Sequence, residues 1–180
     1  MQYKIVLYLM LLFQCINVFA QEKSDSLWIF EERFDSEDNE NGWLLIKGEQ
    51  DLESKIVPGT GLYMRSSIAE GFTQTINIPV ELDEDIYFEA AIEFVSGDRL
   101  TNFGIVFDSN DPYNFNSFSI NATGYFSIGG KKDGAEFEVV SKEKSEYIKK
   151  GPEQNILNIL KVGNKIYYGI NDNIVYEEEY

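Results

Sequence analysis

The sequence contains no histidine, only one cysteine and about half as many basic as acidic residues, and each shortage excludes a class of function. Without histidine the chain cannot use a histidine general base, a Ser-His-Asp triad or a histidine metal site, so an enzyme of this sequence would depend on carboxylates or tyrosine. The 180 residues carry 15 basic and 31 acidic side chains, for a net charge of −16. Because nucleic-acid binding depends largely on Lys and Arg contacts with phosphates, nucleic acid is excluded as a partner.

The first twenty residues are typical of a secretory leader. Lys4 precedes an apolar run over residues 5–13, and Ala20 stands directly before a polar stretch. The run is shorter than the about 20 apolar residues of a membrane span, so we predict cleavage after Ala20 and a secreted, periplasmic or extracellular protein. A competing interpretation makes Cys15 a lipidated cysteine, but Gln14 occupies the position where such signals carry a small residue.

The predicted mature chain, residues 21–180, has 31 acidic and 14 basic side chains, a net charge of −17 and no cysteine. We expect no transmembrane segment in it. Without disulfides an exported chain must be stabilised by burial of apolar surface, and about 160 residues are enough for one good core.

Apolar residues recur at every second position through most of the mature chain, which is the pattern of strands with one buried face. The residues on one face of the clearest strand are Ile86, Phe88, Ala90, Ile92 and Phe94. Residues 108–112 and 129–134 are rich in turn formers, and the charged segment 141–150 is interpreted as a loop with one helical turn. We expect roughly a dozen strands in a single all-β domain, an antiparallel β-sandwich or jelly roll over residues 21–180.

Several stretches of the chain resemble secreted bacterial members of the concanavalin A-like lectin/glucanase superfamily. The matching residues are 104–107 (GIVF), Asp111, 114–115 (NF), 118–120 (FSI), 124–126 (GYF), 155–159 (NILNI), Gly163, 170–171 (IN), 30–34 (FEERF) and Trp43. These motifs describe strands and turns, and they are shared by laminin-G-like and glycosidase relatives alike. The resemblance therefore implies the fold more strongly than the function.

The end of the chain departs from the family pattern. After residues 176–180 the family adds at least one more strand, which returns to pair beside the first, whereas this sequence stops. Either a neighbouring edge stays open or the missing strand lies beyond the recorded end. An open edge strand would be a site where a protein partner could add a strand.

No catalytic residues are assigned from the sequence. Glucanases of this fold carry a Glu-x-Asp-x-x-Glu or Glu-x-Asp-x-Glu strand, whose two acids act as nucleophile and acid. Residues 81–86 (ELDEDI) come closest, but the next required acid fails in residue type or position. Residues 81–86 and the similar segment 35–40 (DSEDNE) are interpreted as solvated loops.

Four oxygen-bearing side chains in one turn-rich segment suggest a calcium site. They are Asp108, Asn110, Asp111 and Asn114. Calcium takes six to eight oxygen ligands, and lectin-like relatives bind it in loops of this kind, although the spacing is not that of an EF-hand. The alternative is a Pro-containing turn whose Asp and Asn side chains cap backbone groups. Calcium is the one cofactor that the sequence suggests.

Aromatic residues out of phase with the buried set indicate a surface for carbohydrate, because sugar rings stack on flat side chains while their hydroxyls bond nearby amides and carboxylates. The predicted ligand-binding residues are Tyr87, Asp111, Tyr113, Asn114, Phe115, Asn116, Asn121 and Tyr125. The alternative is that these rings pack under loops on the outer faces of a sandwich.

Taken together, these patterns favour a secreted, non-catalytic domain that binds extracellular carbohydrate or a glycoconjugate. A glycoside hydrolase or sugar-processing enzyme of the same fold is one alternative. A protein-interaction or scaffold module that pairs through an open edge strand is the other.

Overall fold

The computed structural model describes residues 30–48, 51–68, 72–78, 80 and 84–180. The predicted leader lies outside the described residues, as do 81–83 of the acidic segment considered for catalysis. Within the described part of the chain, no helix is long and apolar enough to span a bilayer. The described residues group into two compact units, the first made of residues up to Glu40 with Leu45–Arg65, and the second of Asn41–Leu44 with Ser66–Tyr180.

The first unit is built on the hairpin of strands β1 (Leu52–Val57) and β2 (Gly61–Ser66). Ile46 adds an antiparallel bridge to β1, because its backbone N–H and C=O both bond Ser54, at 3.0 and 3.1 Å. The hydroxyl of Ser54 accepts a further bond from the Ile46 N–H. Ser54 is therefore buried with its polar group satisfied.

The second unit contains eight strands. They are β3 (Ile86–Glu93), β4 (Phe103–Asp111), β5 (Asn114–Ile120), β6 (Tyr125–Lys132), β7 (Ala135–Lys144), β8 (Gln154–Val162), β9 (Lys165–Ile170) and β10 (Asn173–Glu179). Sheet I has the order β10-β9-β8-β3, and sheet II has the order β4-β5-β6-β7. Every pairing in both sheets is antiparallel. The all-β prediction is confirmed, with two four-stranded sheets consistent with a β-sandwich.

The strands are longer and fewer than the sequence suggested, at ten among the described residues. The segments interpreted as turns at 108–112 and 129–134 are mostly strand, since β4 continues to Asp111 and β6 to Lys132. The β6–β7 loop is reduced to Asp133 and Gly134, whose φ values of 52° and 79° are both left-handed. A two-residue hairpin loop with this geometry favours Asp-Gly, because glycine adopts positive φ without a steric penalty.

The interpretation of 141–150 as a loop is wrong for its first four residues, which belong to β7. Strand β7 lies at the edge of sheet II and is exposed on both faces except at Val140. An edge strand that is solvated on both sides does not need alternating apolar residues. Charged residues such as Lys142 and Glu143 therefore made this part of β7 look like a loop in the sequence.

The core of the second unit lies between the inner faces of the two sheets, where Phe118 of β5 and Tyr168 of β9 stack edge to face with ring centroids 5.3 Å apart. The buried core residues are Ile105, Phe118, Ile120, Phe126, Ile128, Val140, Ile148, Leu157, Ile159, Ile166, Tyr168 and Ile170. In β3 the predicted alternation is confirmed, because Ile86, Phe88, Ala90 and Ile92 are half-buried and the residues between them are exposed.

Candidate functional site

Two neighbouring rows of side chains cross the inner face of sheet II, and they differ in how they fill the space between the sheets. The strand register aligns Ile105, Phe118, Ile128 and Val140, which we call the filled row. It also aligns Phe107, Asn116, Gly130 and Phe137, which we call the pocket row. The filled row is buried throughout, whereas Phe137 in the pocket row is 36% exposed. Residues two apart on a strand share a face, so on β4, β5 and β6 both rows point toward sheet I. On β7 a register shift separates Phe137 from Val140 by three residues and keeps each paired with its row.

The centre of the pocket row cannot be filled from its own strands. Gly130 has no side chain, and the adjacent Gly129, which lines the pocket, could not carry one because its Cβ would collide with the carbonyl oxygen of Phe137 on the neighbouring strand. Asn116 has a smaller side chain than Phe118, which occupies the filled row on the same strand. The Asn116 amide donates to Asp108 Oδ2 at 3.2 Å. A space therefore remains between the sheets at the pocket row, whereas the side chains of the filled row close it.

This space is a pocket of about 180 Å³. The lining residues are Phe107, Asn116, Ile128, Gly129, Phe137, Val139, Ile166, Tyr168, Glu178, Glu179 and Tyr180. Strands of sheet II supply the first six residues, and sheet I with the adjoining Tyr180 supplies the rest. Most of the wall is apolar or aromatic and a few polar groups point inward, which is the usual composition of a small-molecule site.

On the sheet I side, Tyr168 and Glu178 form a polar pair inside this apolar wall. Tyr168 is 3% exposed, and its hydroxyl donates to Glu178 Oε1 at 2.7 Å. Burial, and next the hydrogen bond to Glu178, raise the pKa of the Tyr168 hydroxyl well above its usual value. Tyr168 therefore keeps its proton and directs it at the carboxylate, which leaves the phenol oxygen as an acceptor.

Tyr180 and Asp108 form a second pair at the pocket. The Tyr180 hydroxyl donates to Asp108 Oδ2 at 3.2 Å, the same oxygen that accepts the Asn116 amide. Burial, and then the charge of Asp108, raise the pKa of Tyr180. Lys161 Nζ lies 5.5 Å from the centroid of the Tyr180 ring and donates to the backbone oxygen of Glu84 at 3.0 Å.

Three of the predicted ligand-binding residues come together at the tip of the β4–β5 hairpin. Asp111 Oδ1 accepts the backbone N–H of Tyr113 at 2.7 Å, and the Asn114 amide donates to both Asp111 oxygens at 3.1 Å. Asn114 Oδ1 also accepts the backbone N–H of Asp133 in the adjacent loop, at 2.9 Å. Tyr113 is 65% exposed. Asp111 and Asn114 thus act as the turn-capping alternative described, and they fix the two hairpin tips side by side.

The other predicted ligand-binding residues do not join this group. Asn121 and Tyr125 belong to the opposite end of sheet II, at the β5–β6 connection. Asn121 is buried, and its Oδ1 accepts bonds from Thr123 N, Thr123 Oγ1 and Tyr125 N. Phe115 alternates with the inward residues of β5, so it lies on the outer face of sheet II. The eight residues therefore do not form one groove.

Tyr87 lies on the other sheet. It is on the exposed face of β3, 44% exposed, and its hydroxyl donates to Glu89. Burial and the Glu89 carboxylate raise the pKa of the Tyr87 hydroxyl. Asn116 is the only predicted ligand-binding residue that lines the pocket.

Three of the four predicted calcium ligands are divided between two hydrogen-bonded groups, and Asn110 joins neither by the contacts that define them. Asp111 and Asn114 bond each other at the hairpin tip, whereas Asp108 bonds Asn116 and Tyr180. Within the described ranges, no cluster of three or more Cys, Asp or Glu side chains is placed to hold a metal ion. Calcium binding stays a prediction.

The pocket residues that the sequence reasoning missed had a weak signal. Glu178 continues the period-two pattern of Tyr176 in β10, so an inward acid could have been noticed at the end of the strand. Phe107 belongs to the matching stretch 104–107, and nothing in that stretch shows that its neighbour in the next strand is Asn116. No family model matches the chain, and comparison with curated proteins and with solved structures gives no significant match.

Proposed function

We propose that the chain is a secreted, non-catalytic carbohydrate-binding domain of the concanavalin A-like type, and that the pocket between sheets I and II holds its ligand. The observation that carries the proposal is the combination of aromatic walls and inward acceptors in that pocket. Phe107, Phe137, Tyr168 and Tyr180 supply the aromatic surface, and Glu178 and Asn116 supply polar atoms. Aromatic rings with a few fixed hydrogen-bonding groups suit a ring that has an apolar face and a hydroxylated edge.

The size of the pocket favours one end of a glycan over an extended chain. Sites for drug-sized ligands range from about 300 to 1,000 Å³, and this pocket is smaller, at about 180 Å³. A single six-membered ring can enter while the rest of the chain stays outside. The proposed ligand is therefore a terminal sugar residue.

The hydrogen bonds within the pocket favour a ligand rich in donors. The Tyr168, Tyr180 and Asn116 donors are directed at carboxylates. The second carboxylate oxygen of Glu178 and the phenol oxygens keep lone pairs that can accept. Sugar hydroxyls can donate to these atoms while the ring face packs on the aromatic walls.

A glycan array followed by calorimetry on the purified protein tests the proposal. Saturable binding that Phe137→Ala weakens by about 0.5–1.5 kcal/mol would support it, since that is the usual gain from one aromatic contact. Tyr125→Ala is the matched control, because Tyr125 lies at the opposite end of sheet II. Loss of binding in the Tyr125 variant with none in the Phe137 variant would contradict the pocket as the site.

Two further readouts separate the alternatives. Tyr113→Ala reports on the hairpin tip, where Tyr113 is exposed, and should leave affinity within about twofold if the ligand occupies the pocket. Release of reducing sugar from a bound glycan would contradict the non-catalytic assignment and favour a glycoside hydrolase. A folded sample that binds no glycan would contradict the proposed function, and a protein partner would then be sought at an edge strand.

A further inference from the structure

We infer that the pocket selects a sugar residue carrying a free ammonium group, in preference to a neutral, N-acetylated or acidic sugar. This inference rests on the proposed function, because it names the chemical class of the terminal residue. It is carried by two independent features of the pocket, namely its four aromatic rings and the carboxylates that meet them.

The rings provide the first part of the argument. Phe107 and Tyr168 stack with ring centroids 6.3 Å apart at an interplanar angle of 61°, and Phe137 and Tyr180 complete the aromatic lining. The face of an aromatic ring carries negative potential and attracts a cation within about 6 Å. Four aromatic rings line this pocket, and pockets lined by several aromatic rings are the sites that recognise ammonium groups.

The carboxylates provide the second part. Glu178 lines the pocket, and Asp108 holds two lining side chains, Asn116 and Tyr180, through one of its oxygens. Both tyrosine hydroxyls donate to these acids, so the phenol oxygens keep only acceptor capacity for a ligand. An ammonium group has three donors and no acceptor, which matches this set of atoms. An anionic sugar would place its charge beside Glu178.

The cations near the pocket do not cancel this preference. Among the described residues that line it there is no Lys or Arg. Lys161 is buried, with 6% of the residue exposed; its ammonium lies over the Tyr180 ring and donates to the backbone oxygen of Glu84. Lys165 of β9 forms an exposed ion pair with Glu177 of β10, with an N–O distance of 3.5 Å.

The experiment compares three forms of one disaccharide by calorimetry. They are the cationic free-amine glucosamine form, the uncharged N-acetyl form and the uncharged glucose form. We expect the free-amine form to bind at least tenfold more tightly, because a hydrogen bond to a charged group contributes more than one between neutral groups. Glu178→Gln keeps the shape and the bond with Tyr168, and it should bring the affinity of the free-amine form to within about threefold of that of the neutral form.

A matched surface variant controls for attraction to the acidic protein as a whole. Glu138→Gln removes one negative charge from the exposed part of β7, outside the pocket lining, and should keep the amine preference. Equal affinity of the three forms overturns the inference and leaves the proposed function standing. An amine preference that survives Glu178→Gln overturns it as surface attraction. Failure of all three forms and of every glycan overturns the proposed function itself.

Discussion

The filled row and the pocket row lie on the same four strands, two residues apart on β4, β5 and β6 and three apart on β7, yet one closes the space between the sheets and the other leaves it open. Ile105, Phe118, Ile128 and Val140 are between 0 and 9% exposed. The pocket row replaces the two central positions with Asn116 and Gly130. Backbone pairing is regular between β5 and β6 across both rows, whereas the pairing of β6 with β7 shifts register between Ile128 and Gly129. The smaller central side chains and this register shift together distinguish the two rows.

The two rows show that the alternation required for a strand is independent of the side-chain volume that decides whether a pocket forms. Both rows keep the period-two alternation that builds the sheet, and only the filled row has the volume that packs it. A pocket can therefore be introduced into a sandwich without a change in topology. The loss of packing is confined to the end of the core, where solvent or a ligand replaces apolar contacts.

The largest expected effect comes from opening the filled row. Phe118 is fully buried between Phe126 and Tyr168, with ring centroids at 6.3 and 5.3 Å. Phe118→Ala should lower the free energy of unfolding by about 3–5 kcal/mol, because the lost contacts leave a cavity. Urea unfolding measures the change. A loss below about 1 kcal/mol would mean that the filled row is not the structural centre of the core.

Alkaline pH should weaken the fold through Tyr168. Its folded pKa is raised above its unfolded value of about 10, so its stabilising contribution is complete below pH 10. As pH rises further, the unfolded chain releases the proton that the folded chain retains. The free energy of unfolding then falls by about 1.4 kcal/mol per pH unit for this group.

Urea unfolding at a series of pH values from 8 to 11 checks this slope. Tyr168→Phe should be less stable at pH 8, where it lacks the bond to Glu178, and should show a shallower decline above pH 10. Tyr180 and Tyr87 have raised pKa values as well and should keep part of the decline in this variant. Identical slopes in the two proteins would contradict the assignment to Tyr168.

Closing the pocket sharpens the comparison from the other side. Asn116→Leu places an apolar side chain at the centre of the pocket row, and Asp108 keeps its bond from Tyr180. We expect stability to change by less than about 1.5 kcal/mol, since added burial offsets the lost amide bond. Glycan affinity should fall by more than tenfold. Ser117→Ala on the opposite face of β5 is the control, and undiminished binding by Asn116→Leu would contradict the pocket as the site.

The smallest effect concerns the hairpin tip. Asp111→Ala removes the cap on Tyr113 N and should lower the free energy of unfolding by about 1 kcal/mol, the usual contribution of such a bond.

We expect the melting temperature of the unmodified protein to be the same in calcium and in EDTA, because the Asp111 and Asn114 side chains already bond each other. A calcium-dependent rise that Asp111→Ala abolishes would instead establish the calcium site.

The sequence predicted the fold where alternation and turn chemistry act locally. The strand at 86–93 and the hairpins around residues 163 and 171 follow from period-two patterns and short polar turns. The prediction failed at β7, where an exposed edge strand carries charge on both faces. It also ended β6 too early, because Gly129 and Gly130 resemble a turn but lie where neighbouring backbone approaches closely.

The site was less predictable because its walls come from distant parts of the chain. Asn116 was visible as a polar residue near the aromatic set, but Glu178 and Tyr180 meet it only after sheet I packs on sheet II. A sequence pattern gives the face of each residue and not its neighbour across the core. Tyr113 and Tyr125 lie at opposite ends of sheet II for the same reason, since strand length separates residues that are close in sequence.

The position of β3 has a consequence for the order in which the chain folds. Strands β4 to β7 are consecutive hairpins, and so are β8 to β10, whereas β3 pairs with β8 only after the whole of sheet II has been passed. Local hairpins form quickly, and closing a long loop costs entropy before its contacts form. We therefore expect β3 to dock last during refolding and to detach first in native-state hydrogen exchange. The backbone contact of Lys161 with Glu84 would form and break together with that strand.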